Sequence, residues 1–462
     1  MKSMKSMKRL KPRRIANKIM SRLLKSNDLI VLLGARQVGK TSIMHLLIDS
    51  LLQVEKVERN RVFYFDLEDM NLLEVVNRGV EEFIAFLAAS GADLKKRCFV
   101  FLDEIQYMEN PSNFLKIIAD HHKEISVVVS GSSSFSIKTK FKDSLAGRKR
   151  IFEIYPLDFG EFLEFKDRKD LAGFWDTGNW EKARFFEGDF LRYFEEYVIF
   201  GGLPRVSLLP TREEKIEYLK DVVNSYIKKD IKDLFRIDNA YAFNKAIKLL
   251  ALHAGNSINF TNLTTICGIS RRTLERYLFI LESTFIIRLI NPFYSNRIKE
   301  VTKMPKLYFM DTGIRNIIVG DLNSLEGRRD SGSLVENSVF LMLLTGKDSL
   351  DEIYYWRTKA GAEMDFVLKG EGEKLRGYEV KYRPFKEAKI TRSTRSYINE
   401  YSPDLTCICT KNFYQDEINM DLMGLSGLND KSKLVFLPAF FLSKGNIFCH
   451  CEGVKRLKQS HF

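Results

Sequence analysis

The sequence predicts an α/β protein of several domains, and three patterns support this prediction. In the first third of the chain, apolar runs of strand length at 29–33, 61–66, 98–103 and 125–129 alternate with segments of helical periodicity. In the middle, three short helical patterns precede two strand patterns, and in the last third two strand patterns flank a polar turn. Alternating strands and helices typically form a parallel sheet covered by helices.

Length and composition set the first limits. A chain of 462 residues is expected to hold roughly three domains. The net charge of +13 suggests a polyanionic partner, although many basic proteins bind none. No apolar run approaches the roughly 20 residues of a membrane span, so we expect no membrane contact. Six cysteines in this length do not indicate a disulfide framework, and we expect a cytoplasmic protein.

Residues 1–27 are predicted to form a basic arm followed by a helix. Residues 1–14 contain seven basic side chains and no acidic one. A transit peptide would have similar charges. Ile15, Ile19 and Leu23 continue the arm as an amphipathic helix that leads into the first strand, so we prefer the basic arm.

A glycine-rich loop follows the first strand, within a predicted domain at 28–155. Gly34 and Gly39 bracket four residues, and Lys40 and Thr41 come next, which is the G-x-x-x-x-G-K-[ST] pattern between a strand and a helix. Glycines allow main-chain N–H groups to surround a phosphate chain, and the helix N-terminus adds a partial positive charge. The predicted nucleotide-binding residues are Gly34, Ala35, Arg36, Gln37, Val38, Gly39, Lys40, Thr41 and Ser42.

Two of these residues have specific predicted roles. Lys40 is expected to reach the outer phosphates, and the hydroxyl group of Thr41 is expected to bind Mg²⁺. ATP and Mg²⁺ are thus the predicted cofactors. The alternative is a glycine-rich turn between strand and helix without a ligand.

Two carboxylates end the buried strand at 98–103. Asp103 is predicted to hold Mg²⁺ through water, and Glu104 to orient and deprotonate the attacking water. An apolar strand that ends in Asp-Glu is common by itself. Together with the phosphate loop about 60 residues upstream, it indicates the second half of an ATPase site. The alternative for Glu104 is a solvated carboxylate at the end of a strand.

Two further residues are candidates for the catalytic site. Ser130 ends the strand at 125–129, where it is placed to touch the γ-phosphate or the attacking water, and the alternative is a plain polar loop. Arg148 is a candidate for contact with a γ-phosphate, either in its own subunit or in a neighbour's. The second arrangement would require a homo-oligomer. Arg148 is equally interpretable as one of three solvated basic residues.

These motifs together resemble the AAA+-type ATPases of bacteria and archaea, and more narrowly those joined to a C-terminal domain of unassigned function, DUF4143. The resemblance extends over roughly residues 15–400 and implies ATP binding and hydrolysis, but little about biological role. The motifs that carry it lie at 34–41, 101–104, 130–133, 146–148 and 156–159, and downstream at 201–204, 228–231, 308–314, 336–337 and 355–357.

Two helical regions follow the first domain. Residues 156–240 are predicted to form a helical lid whose aromatic residues lie in the core. Residues 241–310 have the order of a winged helix-turn-helix, in which Thr261 caps the second helix and Ser270 caps the third. That third helix presents Arg271, Arg272 and Arg276 outward and is suited to a major groove, with phosphate contacts from Arg297, Lys299 and Lys303 of the wing. Such folds also serve as protein-docking modules.

The final region, 311–462, is predicted to be an α/β domain with a second carboxylate cluster. Alternation along two strands places Asp365 on one face, and places Glu379 and Lys381 together on one face. With Glu336 from a preceding helix, this resembles the D…ExK arrangement of restriction-endonuclease-like folds. Glu336, Asp365 and Glu379 are then candidate Mg²⁺ ligands, and Lys381 is a candidate catalytic residue. The alternative is a solvated or inactive sheet face.

Two cysteine pairs invite a zinc hypothesis. Cys407 and Cys409, like Cys449 and Cys451, are two residues apart in strand patterns, so each pair shares one face. The spacing is shorter than that of the usual zinc knuckle, and we expect buried core residues instead.

The patterns favour one function and leave a second open. The first is an ATPase that binds or acts on DNA, with a possible Mg²⁺-dependent nuclease domain. The second is a nucleotide-gated switch that binds a protein partner and has a catalytically silent C-terminal domain. Burial of Arg271, Arg272 and Arg276 would favour the switch.

Overall fold

A parallel sheet of five strands organises the first part of the chain. The computed structural model describes residues 10–131, 147–231, 235, 237–294, 304–416, 418 and 432–443. The chain divides into two compact units, Met1–Pro156 with Phe279–Ile286, and Leu157–Leu278 with Ile287–Phe462.

The sheet of the first unit has the order β2-β3-β4-β1-β5, and every pairing in it is parallel. Strands β1, β3 and β4 are buried along their whole length, as expected for a sheet with helices on both faces. Because all five strands are parallel, their carboxyl ends meet at one edge, where ligands of such sheets bind. The strands are β1 (Leu29–Leu33), β2 (Val62–Asp66), β3 (Cys98–Asp103), β4 (Ile125–Gly131) and β5 (Lys149–Glu153).

Within the described residues, five helices accompany this sheet. The predicted amphipathic helix before β1 is confirmed, since Ile19 and Leu23 are among its buried residues. Arg97 closes the end of that helix by donating to the carbonyl oxygens of Leu23, Leu24 and Ser26. The helices are α1 (Arg14–Lys25), α2 (Lys40–Gln53), α3 (Met70–Asn77), α4 (Val80–Ala89) and α5 (Pro111–His121).

The second unit begins with a helical region, as predicted. Its aromatic side chains form a core: the ring of Phe159 packs edge-on against that of Phe194 at 5.5 Å, and Phe162 packs against Tyr197 at 5.3 Å. The helices are α6 (Phe159–Phe165), α7 (Lys169–Thr177), α8 (Trp180–Ala183), α9 (Glu187–Phe200), α10 (Pro204–Leu208) and α11 (Arg212–Val222), followed by a π-helix (Val223–Asp230).

Three helices and a strand pair come next, in the predicted order: α12 (Ala240–Leu252), α13 (Phe260–Cys267), α14 (Arg271–Ser283), β6 (Ile287–Ile290) and β7 (Lys306–Phe309). Ser270 caps α14 through a bond from the Thr273 N–H at 3.1 Å, which confirms that prediction. The prediction that Thr261 caps α13 is wrong. Asn259 is the N-cap, since its side-chain oxygen accepts the Asn262 N–H at 3.0 Å.

A buried carboxylate joins the segment after α9 to the segment after β7. Asp311 caps α15 (Thr312–Val319) by accepting the Ile314 N–H at 2.9 Å, and it also accepts the Gly202 N–H at 2.8 Å. Burial raises the pKa of Asp311 to about 6, although these main-chain donors act against the rise. A Cβ at Gly201 would lie 2.2 Å from this carboxylate, and one at Gly313 would lie 2.0 Å from the Phe200 carbonyl oxygen. Glycine is therefore required at both positions.

The C-terminal part contains a mixed sheet with the order β12-β11-β10-β9-β8. The pairs β8–β9 and β9–β10 are antiparallel, and β10–β11 and β11–β12 are parallel. Its core includes Trp356, Met364, Tyr397 and Phe436. The elements are α16 (Ser331–Gly346), β8 (Glu352–Arg357), β9 (Glu363–Lys369), β10 (Leu375–Lys381), α17 (Arg392–Tyr401), β11 (Leu405–Thr410) and β12 (Lys433–Pro438).

Across the part of the chain that the structure describes, no helix combines the length and the apolar character that crossing a membrane requires.

Candidate functional site

The loop between β1 and α2 has the backbone conformation of a phosphate-binding loop. Gly39 precedes α2 with φ of 94°, and Gln37 has φ of 69°, so both adopt left-handed conformations. A Cβ at Gly34 would lie 2.3 Å from the Ile154 carbonyl oxygen, so only glycine fits there. Turns of this kind direct main-chain N–H groups toward one point, and the N-terminus of α2 favours an anion at that point.

Lys40 lies buried at the first position of α2. Its Nζ donates hydrogen bonds to the carbonyl oxygens of Gly34 (3.0 Å) and Ala35 (2.9 Å), so the ammonium group rests on the loop itself. Burial lowers the pKa of Lys40, while the charges of Glu104 and Asp103 act in the opposite direction. The cation and the two carboxylates therefore belong to one electrostatic group.

Asp103 is the centre of a hydrogen-bond network at the carboxyl edge of the sheet. Its Oδ2 accepts the hydroxyl group of Thr41 at 2.6 Å and that of Tyr64 at 2.9 Å. Its Oδ1 accepts the hydroxyl group of Ser130. The structure thus brings together Thr41 and Asp103, which are 62 positions apart and are the two predicted Mg²⁺ ligands. Hydroxyl and carboxylate oxygens are the ligand types that Mg²⁺ prefers, so this pair fits the ion.

Glu104 has a strained backbone directly after β3. Its φ and ψ are 56° and 51°, a left-handed conformation that is uncommon for a residue with a side chain. Its N–H donates to Ser130 Oγ at 3.1 Å and to Asp103 Oδ1 at 3.2 Å, and these bonds fix the conformation. Backbone strain of this kind is concentrated at functional sites. The amide of Gln106 donates to the Glu104 carboxylate and so restricts its position.

Ser130 lies in the site, bonded to both acidic residues. It is fully buried, it donates to Asp103, and it accepts the Glu104 N–H. These contacts assign it a supporting role for the two carboxylates, and the predicted contact with phosphate or water stays a prediction.

Sequence reasoning missed Tyr64 and Gln106. Burial and the neighbouring Asp103 raise the pKa of Tyr64, so its hydroxyl group stays protonated and donates to that carboxylate. Tyr64 lies on β2 next to β3, with a position opposite Phe101. The sequence predicts β2, whose carboxyl end meets this sheet edge, but Tyr64 is the middle residue of that strand and reaches Asp103 only through its long side chain.

Arg13 is a third residue that the sequence did not indicate. Its guanidinium group donates to the carbonyl oxygens of Val38 at 2.8 Å and Tyr155 at 2.9 Å. The side chain is buried, so the residue before α1 holds the outer side of the phosphate loop. No motif marks such a contact.

Arg148 lies at the wrong edge of the sheet for a role within its own subunit. It immediately precedes β5, and Lys149 pairs with Leu29 at the start of β1. The phosphate loop follows the other end of β1, about 16 Å away along a strand of this length. Arg148 instead pairs with Asp120 at 2.9 Å. Its predicted action in cis is therefore wrong, and its action in trans stays a prediction.

A buried lysine lies within the second carboxylate cluster. Lys306, the first residue of β7, has a side chain only 3% exposed, and its Nζ is 3.3 Å from Glu336 and 3.9 Å from Asp365. It also forms a close ion pair with Glu363. Burial and the charge of Asp365 raise the pKa of Glu336 to about 7, although Lys306 and Tyr308 oppose the rise.

The other predicted members of this cluster have partners of their own. Glu379 accepts the hydroxyl groups of Thr391 and Thr394 at the start of α17, and it pairs with Lys381 at 2.9 Å. Asp365 accepts the Val380 N–H at 2.7 Å. The described ranges contain no group of three or more His, Cys, Asp or Glu side chains arranged to hold a metal ion. Cleavage by this cluster stays a prediction.

The three arginines of α14 are exposed, as predicted for a surface that contacts a partner. Arg271 pairs with Glu275 at 2.9 Å, and its guanidinium group lies over the ring of Phe260. Arg276 donates to the Phe235 carbonyl oxygen at 2.8 Å. Contact of these arginines with a partner stays a prediction.

Some predicted features lie outside the described residues: Arg297, Lys299 and Lys303 of the wing, and the pair Cys449 and Cys451. Cys407 and Cys409 are buried in β11, as expected for core residues.

Family models match three parts of the chain. A model described as an AAA domain matches residues 26–163, and a domain of unknown function, DUF4143, matches residues 331–425. A second domain of unknown function, DUF8612, matches residues 191–324. The first two are the domains that the resemblance implies, so the predicted combination of a P-loop ATPase domain with DUF4143 is confirmed.

Relatives share most of the chain. An uncharacterized protein of Methanocaldococcus jannaschii is 27% identical over 354 residues, or 76% of this chain and 74% of that protein. One of Mycobacterium tuberculosis is 24% identical over 387 residues, or 83% and 76%. Among solved structures, a Walker-type ATPase of Pyrococcus abyssi aligns with 66% of this chain and 94% of its own, at 14% identity and a TM-score of 0.41.

Proposed function

We propose that this chain, in which an AAA domain at 26–163 is joined to DUF4143 at 331–425, binds and hydrolyses ATP with Mg²⁺ and acts on DNA in the cytoplasm. The observation that carries the ATPase proposal is the network around Asp103. It brings Thr41, from the end of the phosphate loop, to the carboxylate that ends β3. Glu104 lies beside it in a fixed conformation.

Each residue has a distinct task in this proposal. Loop N–H groups and Lys40 bind the β- and γ-phosphates, and Lys40 exchanges its bonds to the loop carbonyls for bonds to phosphate. Thr41 and Asp103 would hold Mg²⁺, which supplies charge neutralisation at the phosphates when bound. Glu104 orients the attacking water and accepts its proton. Ser130 and Tyr64 hold Asp103 in place.

Glu104→Gln tests the catalytic assignment. Nucleotide binding should persist, because the glutamine has the same shape, while hydrolysis should slow by about two to four decades, which is the usual contribution of a general base. The measurement is steady-state ATP turnover, together with binding of a fluorescent ATP analogue. Lys40→Ala should abolish the binding itself.

Glu124→Gln is the matched control, because Glu124 immediately precedes β4 at the opposite edge of the same sheet. It should hydrolyse ATP at the parent rate. If Glu104→Gln also does so, the assignment of Glu104 is wrong.

The DNA proposal depends on α14. Its first two residues, Arg271 and Arg272, are exposed, and the order of three helices and an antiparallel strand pair is that of a winged helix. In such modules, the N-terminal part of the third helix contacts base edges. We therefore expect duplex DNA to raise ATP turnover. A nucleotide-gated switch that binds a protein partner is the second hypothesis.

Assembly is a further part of the proposal. Arg148 is 44% exposed in its side chain and lies away from its own phosphate loop, so a role at a γ-phosphate requires a neighbouring subunit. Dependence of turnover per chain on protein concentration would reveal such an oligomer. Cleavage of DNA is not part of the proposal, because a lysine lies within the carboxylate cluster.

A further inference from the structure

The carboxylate cluster of the C-terminal region contains its own cation. Lys306 extends from β7 and has 3% of its side chain exposed. Its ammonium group contacts carboxylates from two other elements, Glu336 on α16 and Glu363 on β9, with Asp365 of β9 at 3.9 Å. Glu336 and Asp365 are two of the three residues that the sequence indicates as Mg²⁺ ligands.

The remaining contacts hold the ammonium group and its partners in place. Tyr308, two residues along β7, donates to the same Glu336 oxygen at 2.6 Å. The ring of Tyr355 on β8 lies 5.5 Å from the Lys306 nitrogen, which is a favourable position for a cation. The side chains of this cluster are therefore arranged around the ammonium group of Lys306.

The charges nearly balance without a metal. Four carboxylates, Glu336, Glu363, Asp365 and Glu379, are paired with three cations, Lys306, Lys381 and Arg357. One negative charge is left over when every group is ionised. A divalent ion among them would therefore leave an excess of positive charge.

The positions of the predicted ligands also argue against a bound metal ion. Mg²⁺ needs about six oxygen ligands at 2.0–2.1 Å. Two of its predicted ligands face the Lys306 ammonium, and the third, Glu379, is occupied by Thr391, Thr394 and Lys381. A metal ion between Glu336 and Asp365 would have to displace the ammonium group or lie beside it at strongly repulsive distance.

We propose that Lys306 is a built-in cation that replaces the divalent metal of this cluster. The C-terminal domain then binds no Mg²⁺ or Mn²⁺ at these residues and does not cleave phosphodiester bonds. The lysine instead fastens β7 to α16 and β9. This proposal is independent of ATP hydrolysis.

Lys306→Met tests the proposal by removing the charge while keeping a similar length. Glu336 and Asp365 would lose the Lys306 charge, whereas Glu363 would keep Arg357, so the variant should be less stable and should gain a metal site. Millimolar Mn²⁺ should raise its melting temperature by about 5 °C or more, as expected for a ligand far above its dissociation constant. The nucleotide-free full chain is used throughout, so that Mn²⁺ bound with ATP does not contribute.

Lys215→Met is the matched control. Lys215 is a similarly buried lysine, and its partner Glu196 keeps a second cation, Lys166. Wild type, Lys215→Met and the charge-conserving Lys306→Arg should each shift by less than about 1 °C with Mn²⁺. A Lys306→Met variant that is as stable as wild type and unaffected by Mn²⁺ would contradict the proposal.

If Lys306→Met does not fold, metal binding and DNA cleavage by the wild-type protein still test the proposal. Mn²⁺ binding followed by electron paramagnetic resonance, and plasmid cleavage in Mg²⁺ or Mn²⁺, are compared between wild type and Asp365→Asn. The expected result is no difference in either measurement. Mn²⁺ binding or cleavage that disappears in Asp365→Asn would overturn the proposal.

Discussion

At the scale of single residues, Asp330 has the clearest electrostatic role outside the ATP site. It precedes α16 and accepts hydrogen bonds from Arg328 at 2.8 Å and from Arg315. Both guanidinium groups are buried. Burial alone would raise the pKa of Asp330, but the bonds from Arg328 and Arg315 outweigh it and lower the pKa to about 2.

The consequence is a stability contribution that depends on pH. A pKa below the ordinary value of 3.8 means that the ionised form is favoured in the folded chain. The contribution is thus fully present above about pH 4 and is lost as the pH falls toward 2, with a size of about 2 kcal/mol. Asp330→Asn should lower the melting temperature by about 5 °C near neutral pH. Glu371→Gln, at an exposed position, is the control.

The comparison is made by thermal unfolding across the acidic range. The difference between wild type and Asp330→Asn should shrink below about pH 4. A difference that stays constant over this range would show that Asp330 acts through packing instead of charge.

The sequence predicts the motif residues of the ATP site better than it predicts the side chains that hold them in place. Gly34, Lys40, Thr41, Asp103 and Glu104 were all identified from the sequence, because the backbone conformation and the ligand chemistry require those residue types at those spacings. The residues that hold them in place, such as Arg13 before a helix and Tyr64 on a neighbouring strand, belong to no sequence motif. Such side chains gain a role only when distant segments meet.

At the scale of elements, the junction around Asp311 is tightly constrained. The turn after α9 and the start of α15 approach so closely that no Cβ fits at Gly201 or Gly313. The approach brings main-chain N–H groups from both segments to one carboxylate. Two elements more than 100 positions apart are therefore joined through backbone atoms.

Gly313→Ala should strongly destabilise the chain. The added methyl group would lie 2.0 Å from the Phe200 carbonyl oxygen, and a main-chain atom cannot rotate away as a side chain can. We expect a loss of about 3 kcal/mol in the free energy of unfolding, at the upper end of overpacking effects. The measurement is denaturant unfolding.

Gly332→Ala is the matched control, because a Cβ at this helical position meets nothing within 4 Å. It should be neutral or stabilise the helix by up to about 1 kcal/mol. Equal effects of the two substitutions would mean that the junction relaxes freely.

Most elements were predictable, and one helix start was not. Periodicity predicts α1, the first four strands of the first sheet and the order from α12 to β7. The start of α13 was misjudged because Asn259 and Thr261 are both good caps, and asparagine is the better one. In the structure, Thr261 lies inside the helix, where its carbonyl oxygen accepts the hydroxyl groups of Thr264 and Thr265.

At the scale of the whole molecule, the net charge of +13 bears on the proposed DNA contact. Binding that depends on phosphate contacts should weaken steeply with salt, each contact adding about 0.9 to the slope of log affinity against log salt. The double substitution Arg271→Gln with Arg272→Gln should reduce this slope by up to about 1.8. Fluorescence anisotropy with duplex DNA over a salt series gives the slope.

The control removes the same charge from a different surface, by Arg184→Gln with Arg192→Gln in the helical region. It should leave the slope nearly unchanged. An equal loss in both double variants would indicate general attraction by net charge, and no binding in wild type would remove DNA from the proposed function.

Long-range side-chain contacts mark the limit of prediction for the whole chain. Alternation along strands indicates Asp365, Glu379 and Lys381, and a preceding helix adds Glu336, but no pattern indicates Lys306, because it belongs to a strand of another predicted domain. The sequence makes Arg148 a candidate for contact with a γ-phosphate in its own subunit or in a neighbour's. Strand register, which the sequence does not specify, puts it at the opposite edge.

The contact of Arg13 with the phosphate loop matters for anyone who shortens this chain. The basic start looks dispensable, and a version beginning at β1 would keep every recognisable motif. It would nevertheless lack the guanidinium group that steadies the Val38 and Tyr155 carbonyls. Poor nucleotide affinity of such a shortened protein would then result from the loss of the Arg13 contacts, and not from a defect in the phosphate-binding motif.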